Sequence, residues 1–207
     1  MKDIIEGFVM THKLVFSFTA LLISLTIVFV TQAHCKDNQK YQRTVEEYVI
    51  PDVTLVNQNG EKVRFRELIN SKETVLLDFI FGTCTTICPI LSASFTSMQD
   101  RLGTDIDQVR FVSISIDPEH DTPEVMKAYL GRYRAKPGWD FFTGTKEDID
   151  QVMRAFDAYM SDKMDHRPLT FLQAPVQNKW VRIHGLLGTS DLMKEYAAVE
   201  KMDSAQR

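Results

Sequence analysis

Two cysteines are the residues of this chain best suited to chemistry. Cys84 and Cys88 are separated by three residues, and Pro89 follows directly. Thiols four positions apart in a first helical turn point the same way, and the free N–H groups of a helix N-terminus stabilise thiolates. Such a pair can form a disulfide or bind a soft metal ion. Three intervening residues, rather than two, leave room for an ion between the sulfurs, so the spacing favours metal binding over fast dithiol exchange.

A pair of sulfurs rarely completes a metal site, and imidazole is the natural third ligand for copper. The chain has five histidines. His12 and His34 lie in or beside a hydrophobic N-terminal segment and are interpreted as incidental. His184 ends a predicted hairpin strand and is interpreted as structural. His120, on a loop after a predicted core strand, and His166, just before another strand, remain candidate ligands.

The elements around the cysteines place them at a strand-to-helix junction. Residues 74–81 are apolar and rich in β-branched side chains, which is typical of a buried strand. Residues 89–102 carry apolar side chains at spacings of three and four, which predicts an amphipathic helix. Residues 109–116 form a second predicted core strand. If the two strands are parallel, the loop carrying His120 opens on the same rim as the cysteines.

The remaining elements predict an α/β fold with a mixed sheet and helices on both faces. Residues 53–57 and 62–65 flank Asn59-Gly60, the strongest short signal for a β-hairpin. This order matches a thioredoxin-like fold with an N-terminal β-hairpin. Further strands are predicted at 139–142, 169–174 and 180–183, and further helices at 121–134, 146–159 and 190–199.

The N-terminus has a different character. Residues 14–30 contain no charge, and Lys2 and Lys13 precede them. We interpret residues 1–35 as a signal or membrane anchor, residues 36–47 as a linker and residues 48–207 as the folded domain. An anchor in the bacterial inner membrane, with the domain facing the periplasm, is favoured. The alternative is a soluble periplasmic protein released by signal cleavage.

Composition and charge exclude one class of partner. The 207 residues are 44% hydrophobic and 25% charged, as in an ordinary folded domain. The formal net charge is −4, and lysines and arginines are interspersed with acidic residues. The sequence therefore predicts no surface for binding nucleic acid.

Three motifs in order resemble the Sco/SenC family of thioredoxin-like, copper-binding proteins that assist cytochrome oxidase assembly. They are FIFGTCTTICP around Cys84 and Cys88, then SISIDPEHDTPEVMKAYL, then DHRPLT around His166. The resemblance extends from about Val53 to Tyr196. It implies that Cys84, Cys88 and His166 bind copper.

The resemblance also implies a function. The expected role is that of a copper chaperone, which delivers copper to a cytochrome c oxidase subunit or another cuproprotein. The alternative is a thiol:disulfide oxidoreductase that keeps the copper-site cysteines of a partner reduced, with Cys84 and Cys88 as its redox-active catalytic pair. Copper binding requires the reduced pair, so both roles use the same disulfide chemistry. Met160 and Met164 are weaker candidates for auxiliary soft ligands, since a methionine at a helix end more often packs against the core.

Overall fold

The computed structural model describes residues 41–204. The predicted signal or anchor, with His12, His34 and Cys35, lies outside the described residues. Within them, no helix combines the length and the apolar character needed to cross a membrane.

Eight strands and five α-helices make up the described part. The strands are β1 Gln42–Glu46, β2 Thr54–Asn57, β3 Lys62–Arg64, β4 Thr74–Ile80, β5 Val109–Ser115, β6 Trp139–Thr143, β7 Leu169–Ala174 and β8 Lys179–His184. The helices are α1 Phe65–Ile69, α2 Cys88–Leu102, α3 Pro123–Arg132, α4 Lys146–Ala155 and α5 Thr189–Ser204. Short 3₁₀ helices cover Gly103–Gln108 and Lys163–Asp165.

All eight strands form one mixed sheet in the order β1-β8-β7-β4-β5-β6-β2-β3. The three central strands β4, β5 and β6 are parallel. Strand β7 pairs antiparallel with β4 on its other side, so β4 lies between a parallel and an antiparallel neighbour. The two predicted core strands are therefore parallel, and the strand after His166 lies beside the first of them.

Helices cover both faces of this sheet, as predicted. Leu76 and Ile80 of β4 pack in one core with α2, α3 and α5, whereas Leu77 and Phe79 pack in a second core with α1 and α4. Every residue of β4 is buried. Burial on both faces explains why β4 is a nearly continuous apolar run rather than an alternating one.

Both predicted hairpins are present. Strands β2 and β3 pair antiparallel around the Asn59-Gly60 turn, in which Gly60 takes a φ of 79°. Strands β7 and β8 form the second antiparallel pair. The structure differs from the predicted hairpin at Phe65, which begins the unpredicted helix α1 and is completely buried with Ile69.

Part of the predicted linker is a strand. Residues 42–46 form β1, which pairs antiparallel with β8 at the edge of the sheet. Arg43 donates to Glu195 of α5 at 2.8 Å, and the hydroxyl of Tyr41 donates to the same carboxylate at 2.7 Å. These contacts join the start of the described chain to its last helix. Tertiary pairing thus produces a strand where the local sequence is polar.

Helix α4 ends four residues earlier than predicted. Asp157 takes a φ of 51°, and the N–H of Ala158 donates to the carbonyl of Met153 at 2.8 Å. A left-handed residue with this backbone bond is a common helix terminus. Phe156, next to it, is completely buried in the second core, which holds the chain in this turn. The residues that follow form an irregular segment leading to His166.

Candidate metal centre

The two cysteines occupy the junction between β4 and α2. The N–H of Cys84 donates to the carbonyl of Phe81 at 3.1 Å, which closes a turn just after the strand. Helix α2 begins at Cys88, and Pro89 stands in its first turn, where the missing N–H breaks no helical hydrogen bond. The prediction that both thiols lie in the first helical turn is therefore wrong for Cys84. It precedes the helix, because the turn after β4 uses its backbone.

His166 reaches the cysteines from a distant part of the chain. It follows the 3₁₀ turn Lys163–Asp165 and stands three residues before β7. Because β7 pairs with β4, His166 arrives beside the end of β4. Its Nδ1 lies 3.6 Å from the Sγ atom of Cys88. Its ring also meets the ring of Phe81 edge to face, with centroids 6.2 Å apart.

The structure brings the three predicted metal ligands together. One candidate ligand atom from each of Cys84, Cys88 and His166 lies within 4.8 Å of the other two. Among residues 41–204, this is the one group of three or more His, Cys, Asp or Glu side chains able to hold a metal ion. Two soft sulfurs with one imidazole form a donor set that suits copper and zinc rather than calcium or magnesium.

The two thiols have different acidities. Burial opposes ionisation of Cys84, but hydrogen bonds from the Cys88 side chain and from the backbone of Cys88 and Thr86 outweigh it and lower the pKa of Cys84. Burial raises the pKa of Cys88, and its interaction with Cys84 adds to this rise. Cys84 is partly exposed and Cys88 is buried, and neither is in a disulfide. Cys84 is therefore the more nucleophilic of the pair.

The imidazole of His166 is prepared to act as a ligand. Burial lowers its pKa to about 4, so the ring is neutral at physiological pH. A neutral ring presents a lone pair without first releasing a proton. A metal ion entering this site would displace protons from the thiols alone.

The other candidate ligands lie outside this cluster. His120 contacts Asp117, with Nδ1 2.9 Å from Oδ1, and its side chain is 63% exposed. His184 ends β8 and lines a pocket with Arg167 and Arg182. Met164 is 73% exposed, and Met160 packs against the second core.

One functional candidate was missed in the sequence, although it left a signal. Asp78 interrupts the apolar run of β4 and is completely buried. Asp78 is two residues from Leu76 and two from Ile80, so the three side chains point to the same face of the sheet. That face packs against the core that contains Cys88. Burial raises the pKa of Asp78 to about 7. A carboxyl in the middle of an apolar strand is the sequence signal that could have identified it.

Asp121 fixes the turn before the cysteines, a role that the sequence did not predict. Its two carboxylate oxygens accept hydrogen bonds from the N–H of Gly82 at 3.0 and 3.1 Å. The hydroxyl of Ser115 donates to the same carboxylate at 2.6 Å. Asp121 therefore joins the loop after β4 to the loop after β5, and its contacts depend on a tertiary fold that no local pattern encodes.

Comparison with known proteins decides the family. The SCO1/SenC family model matches residues 41–198, most of the chain and nearly all of its described part. The chain belongs to the SCO1/SenC family. The SCO1 protein homolog of Bacillus subtilis is one of its relatives. The two sequences are 32% identical over 171 residues, which cover 79% of this chain and 84% of that protein.

Solved Sco structures confirm the thioredoxin-like fold of this SCO1/SenC protein. BsSco, in which a disulfide switch has been identified, matches with a TM-score of 0.63 and 28% identity over 76% of this chain and 96% of that one. The copper-bound ScoI of Bradyrhizobium japonicum matches with a TM-score of 0.53 and 27% identity, over 61% and 84% of the two chains.

Proposed function

We propose that this SCO1/SenC protein binds copper through Cys84, Cys88 and His166 and delivers it to a cytochrome c oxidase subunit or another cuproprotein. The observation that carries this proposal is the convergence of two thiols and one imidazole within 4.8 Å. Relatives support the choice of metal, since ScoI of Bradyrhizobium japonicum has been solved with copper bound. BsSco belongs to a family of cytochrome c oxidase assembly proteins, which supports the choice of partner.

The unequal exposure of the ligands suits delivery. Cu(I) needs only two or three soft ligands, so an incoming thiolate or imidazole can replace one of them while the others still hold the ion. Cys84 is partly exposed, whereas Cys88 is buried at the start of α2. A partner's ligand therefore meets the ion on the Cys84 side, and no free ion is released during transfer.

Copper titration of the full chain in detergent tests the proposal. The chain has three cysteines, so a Cys35→Ser background leaves Cys84 and Cys88 as its two thiols. The reduced protein should bind one copper ion. His166→Ala should lose tight Cu(II) binding and retain only a weak affinity, and loss of either thiol should abolish binding of both oxidation states.

Two histidines supply matched controls for this titration. His120→Ala and His184→Ala remove imidazoles that lie outside the cluster, and both should bind copper like the parent. Binding by His166→Ala with parental affinity would refute the proposed ligand set.

The asymmetry of the thiols supports a second candidate, a thiol:disulfide oxidoreductase. The Cys84 thiolate would attack a partner's disulfide, and one partner sulfur would leave as a thiolate. Cys88 would lose its proton and attack Cys84 in the mixed disulfide, which releases the partner's second sulfur. The partner gains two electrons, and this protein is left with a disulfide between Cys84 and Cys88.

Turnover without metal separates the two candidates. A reductase should reduce a copper-site peptide disulfide equally well in the parent and in His166→Ala, with copper chelated throughout. A copper carrier should instead lose delivery when His166 is changed. Oxidase activity in a deletion strain complemented by His166→Ala then reports which chemistry the cell needs.

The proposed site of action is the periplasmic face of the bacterial inner membrane. Residues 14–30, outside the described residues, would anchor the chain, and the copper-binding domain would face the periplasm. A soluble periplasmic protein results if the segment is cleaved. Mass spectrometry of the protein isolated from membrane and periplasmic fractions distinguishes these forms by the presence of residues 1–33.

A further inference from the structure

The segment that carries His166 has little regular structure of its own. It runs from the end of α4 at Ala155 to the start of β7 at Leu169, and one 3₁₀ turn, Lys163–Asp165, is its only helix. A short irregular segment has few backbone hydrogen bonds to hold its shape. The carbonyl of Pro168 accepts from the N–H of Gly185 at 3.0 Å, and side-chain contacts add to this bond in fixing where the imidazole lies.

Lys163 makes a short contact of this kind. Its Nζ atom donates to Oδ2 of Asp117 at 2.5 Å, and the side chains are 34% and 9% exposed. Burial opposes ionisation of Asp117, but hydrogen bonds from Lys163 and His120 outweigh it and lower the pKa of Asp117. The carboxylate is thus charged and largely removed from water. Removing Lys163 would leave it with His120 alone, which is costly for a buried charge.

Asp117 is a fixed partner for this lysine. Its N–H donates to the hydroxyl of Ser115 at 3.0 Å, and that hydroxyl donates to Asp121. Asp121 in turn accepts from Gly82, in the turn before Cys84. The Asp117–Lys163 pair therefore connects the His166 segment to the same framework that holds the cysteine loop.

Two further contacts transmit the position of Lys163 to His166. The N–H of His166 donates to the carbonyl of Lys163 at 3.2 Å. The ammonium of Lys163 lies 5.6 Å from the ring centroid of Phe81, within the range of a cation–π contact. Phe81 is 5% exposed and packs edge to face against His166. Lys163 thus contacts the backbone of His166 through its carbonyl and the ring beside His166 through its ammonium group.

We propose that Lys163 is a positioning residue, which places the imidazole of His166 beside Cys88 through its ion pair with Asp117. The consequence for copper rests on the proposed function, whereas the placement itself is a property of the metal-free protein. With the pair intact, the three ligands lie within reach of one ion. Without it, the segment moves away and the site is reduced to two thiols.

The first test uses no metal. Diethyl pyrocarbonate modifies exposed imidazoles, and the rate at His166 is followed by mass spectrometry of the reduced full chain in detergent. Lys163→Met retains most of the apolar stem but loses the charge, and we expect it to raise that rate about tenfold. Lys163→Arg retains the ion pair and should react like the parent. Lys136→Met is the control, since it also removes a lysine from an ion pair. The Nζ atom of Lys136 lies 2.8 Å from Oδ1 of Asp100, which is on α2 and away from His166.

The second test compares copper affinities in two backgrounds. Lys163→Met should weaken Cu(II) binding about tenfold in the parent and have no effect on the remaining affinity in His166→Ala. An unchanged modification rate at His166, or an equal loss of affinity in both backgrounds, overturns the proposal. Faster modification in a protein whose parent binds no copper supports the positioning role while refuting the proposed function. Far-ultraviolet circular dichroism verifies that each variant is folded.

Discussion

The Sγ atom of Cys88 and the Nδ1 atom of His166 lie 3.6 Å apart, although 78 residues separate them in the chain. The buried thiol has a raised pKa, whereas burial lowers the pKa of the imidazole to about 4. Both groups are therefore uncharged at neutral pH. Copper that binds at the proposed site would displace a proton from Cys88 but none from His166.

Copper affinity should consequently depend on pH through the thiols. Because the pKa of Cys88 is raised, its thiol is protonated across the physiological range, and each fall of one pH unit should weaken binding by at least about tenfold. Competition titrations between about pH 6 and pH 8 measure this slope. His166→Ala should weaken binding without changing the slope, because that ring is neutral throughout the range. A flat profile would contradict the assigned state of Cys88.

The two thiols should react with alkylating agents at different rates. Cys84 has a lowered pKa and is partly exposed, whereas Cys88 is buried and has a raised pKa. Iodoacetamide at neutral pH should therefore modify Cys84 at least about tenfold faster, as followed by peptide mass spectrometry. Denaturation in urea supplies the control, since it should make the rates similar. Preferential labelling of Cys88 in the folded protein would reverse the proposed order of attack.

Gly82 should tolerate no side chain. A Cβ atom there would lie 2.7 Å from Oδ1 of Asp121 and 3.1 Å from Cγ1 of Val125. Gly82→Ala should therefore break the hydrogen bonds to Asp121 and destabilise the fold by about 1–3 kcal/mol, measured by urea unfolding.

Gly131→Ala is the matched control for this substitution. It lies within α3, and a Cβ there would meet no heavy atom of the described residues within 4 Å apart from its chain neighbours and the backbone of its own helix. This variant should stabilise the protein by about 0.5–1 kcal/mol, because alanine restricts the unfolded chain. Equal effects of the two changes would mean that the contact of Gly82 with Asp121 is dispensable.

Asp78 should make the stability of the metal-free protein depend on pH. Its pKa is raised from 3.8 to about 7 in the folded state, so its contribution is greatest below about pH 4 and is lost as the pH rises towards 7. That loss is on the order of 4 kcal/mol. Asp78→Asn retains the shape without the charge and should be more stable than the parent at pH 8. Asp100→Asn, at an exposed position of α2, should retain the parental profile.

Periodicity in the sequence predicted the core because burial on two faces imposes long apolar runs such as β4. Turn chemistry predicted the β2–β3 hairpin, because Asn59-Gly60 favours that backbone locally. The cysteine pair was also evident locally, but the choice of His166 over His120 came from the resemblance to the Sco/SenC family. Strand β1 was missed, because a polar edge strand depends on its partner β8.

The residues that position the site were beyond local patterns. The pair formed by Asp117 and Lys163 joins loops 46 residues apart, so neither side chain signals its partner. Asp121 likewise acts through Gly82, 39 residues earlier. Asp78 alone left a trace, since a carboxyl within a buried strand stands out.

The antiparallel pairing of β7 with β4 sets an order of events during synthesis. A ribosome exposes the cysteine loop long before it exposes His166 and the strand that docks it. A nascent chain stopped before His166 therefore offers a dithiol to the surrounding redox enzymes but lacks the imidazole that would complete the proposed metal site. The growing chain can therefore form a disulfide early. Copper binding by all three proposed ligands requires the β7–β8 hairpin to have paired with β4.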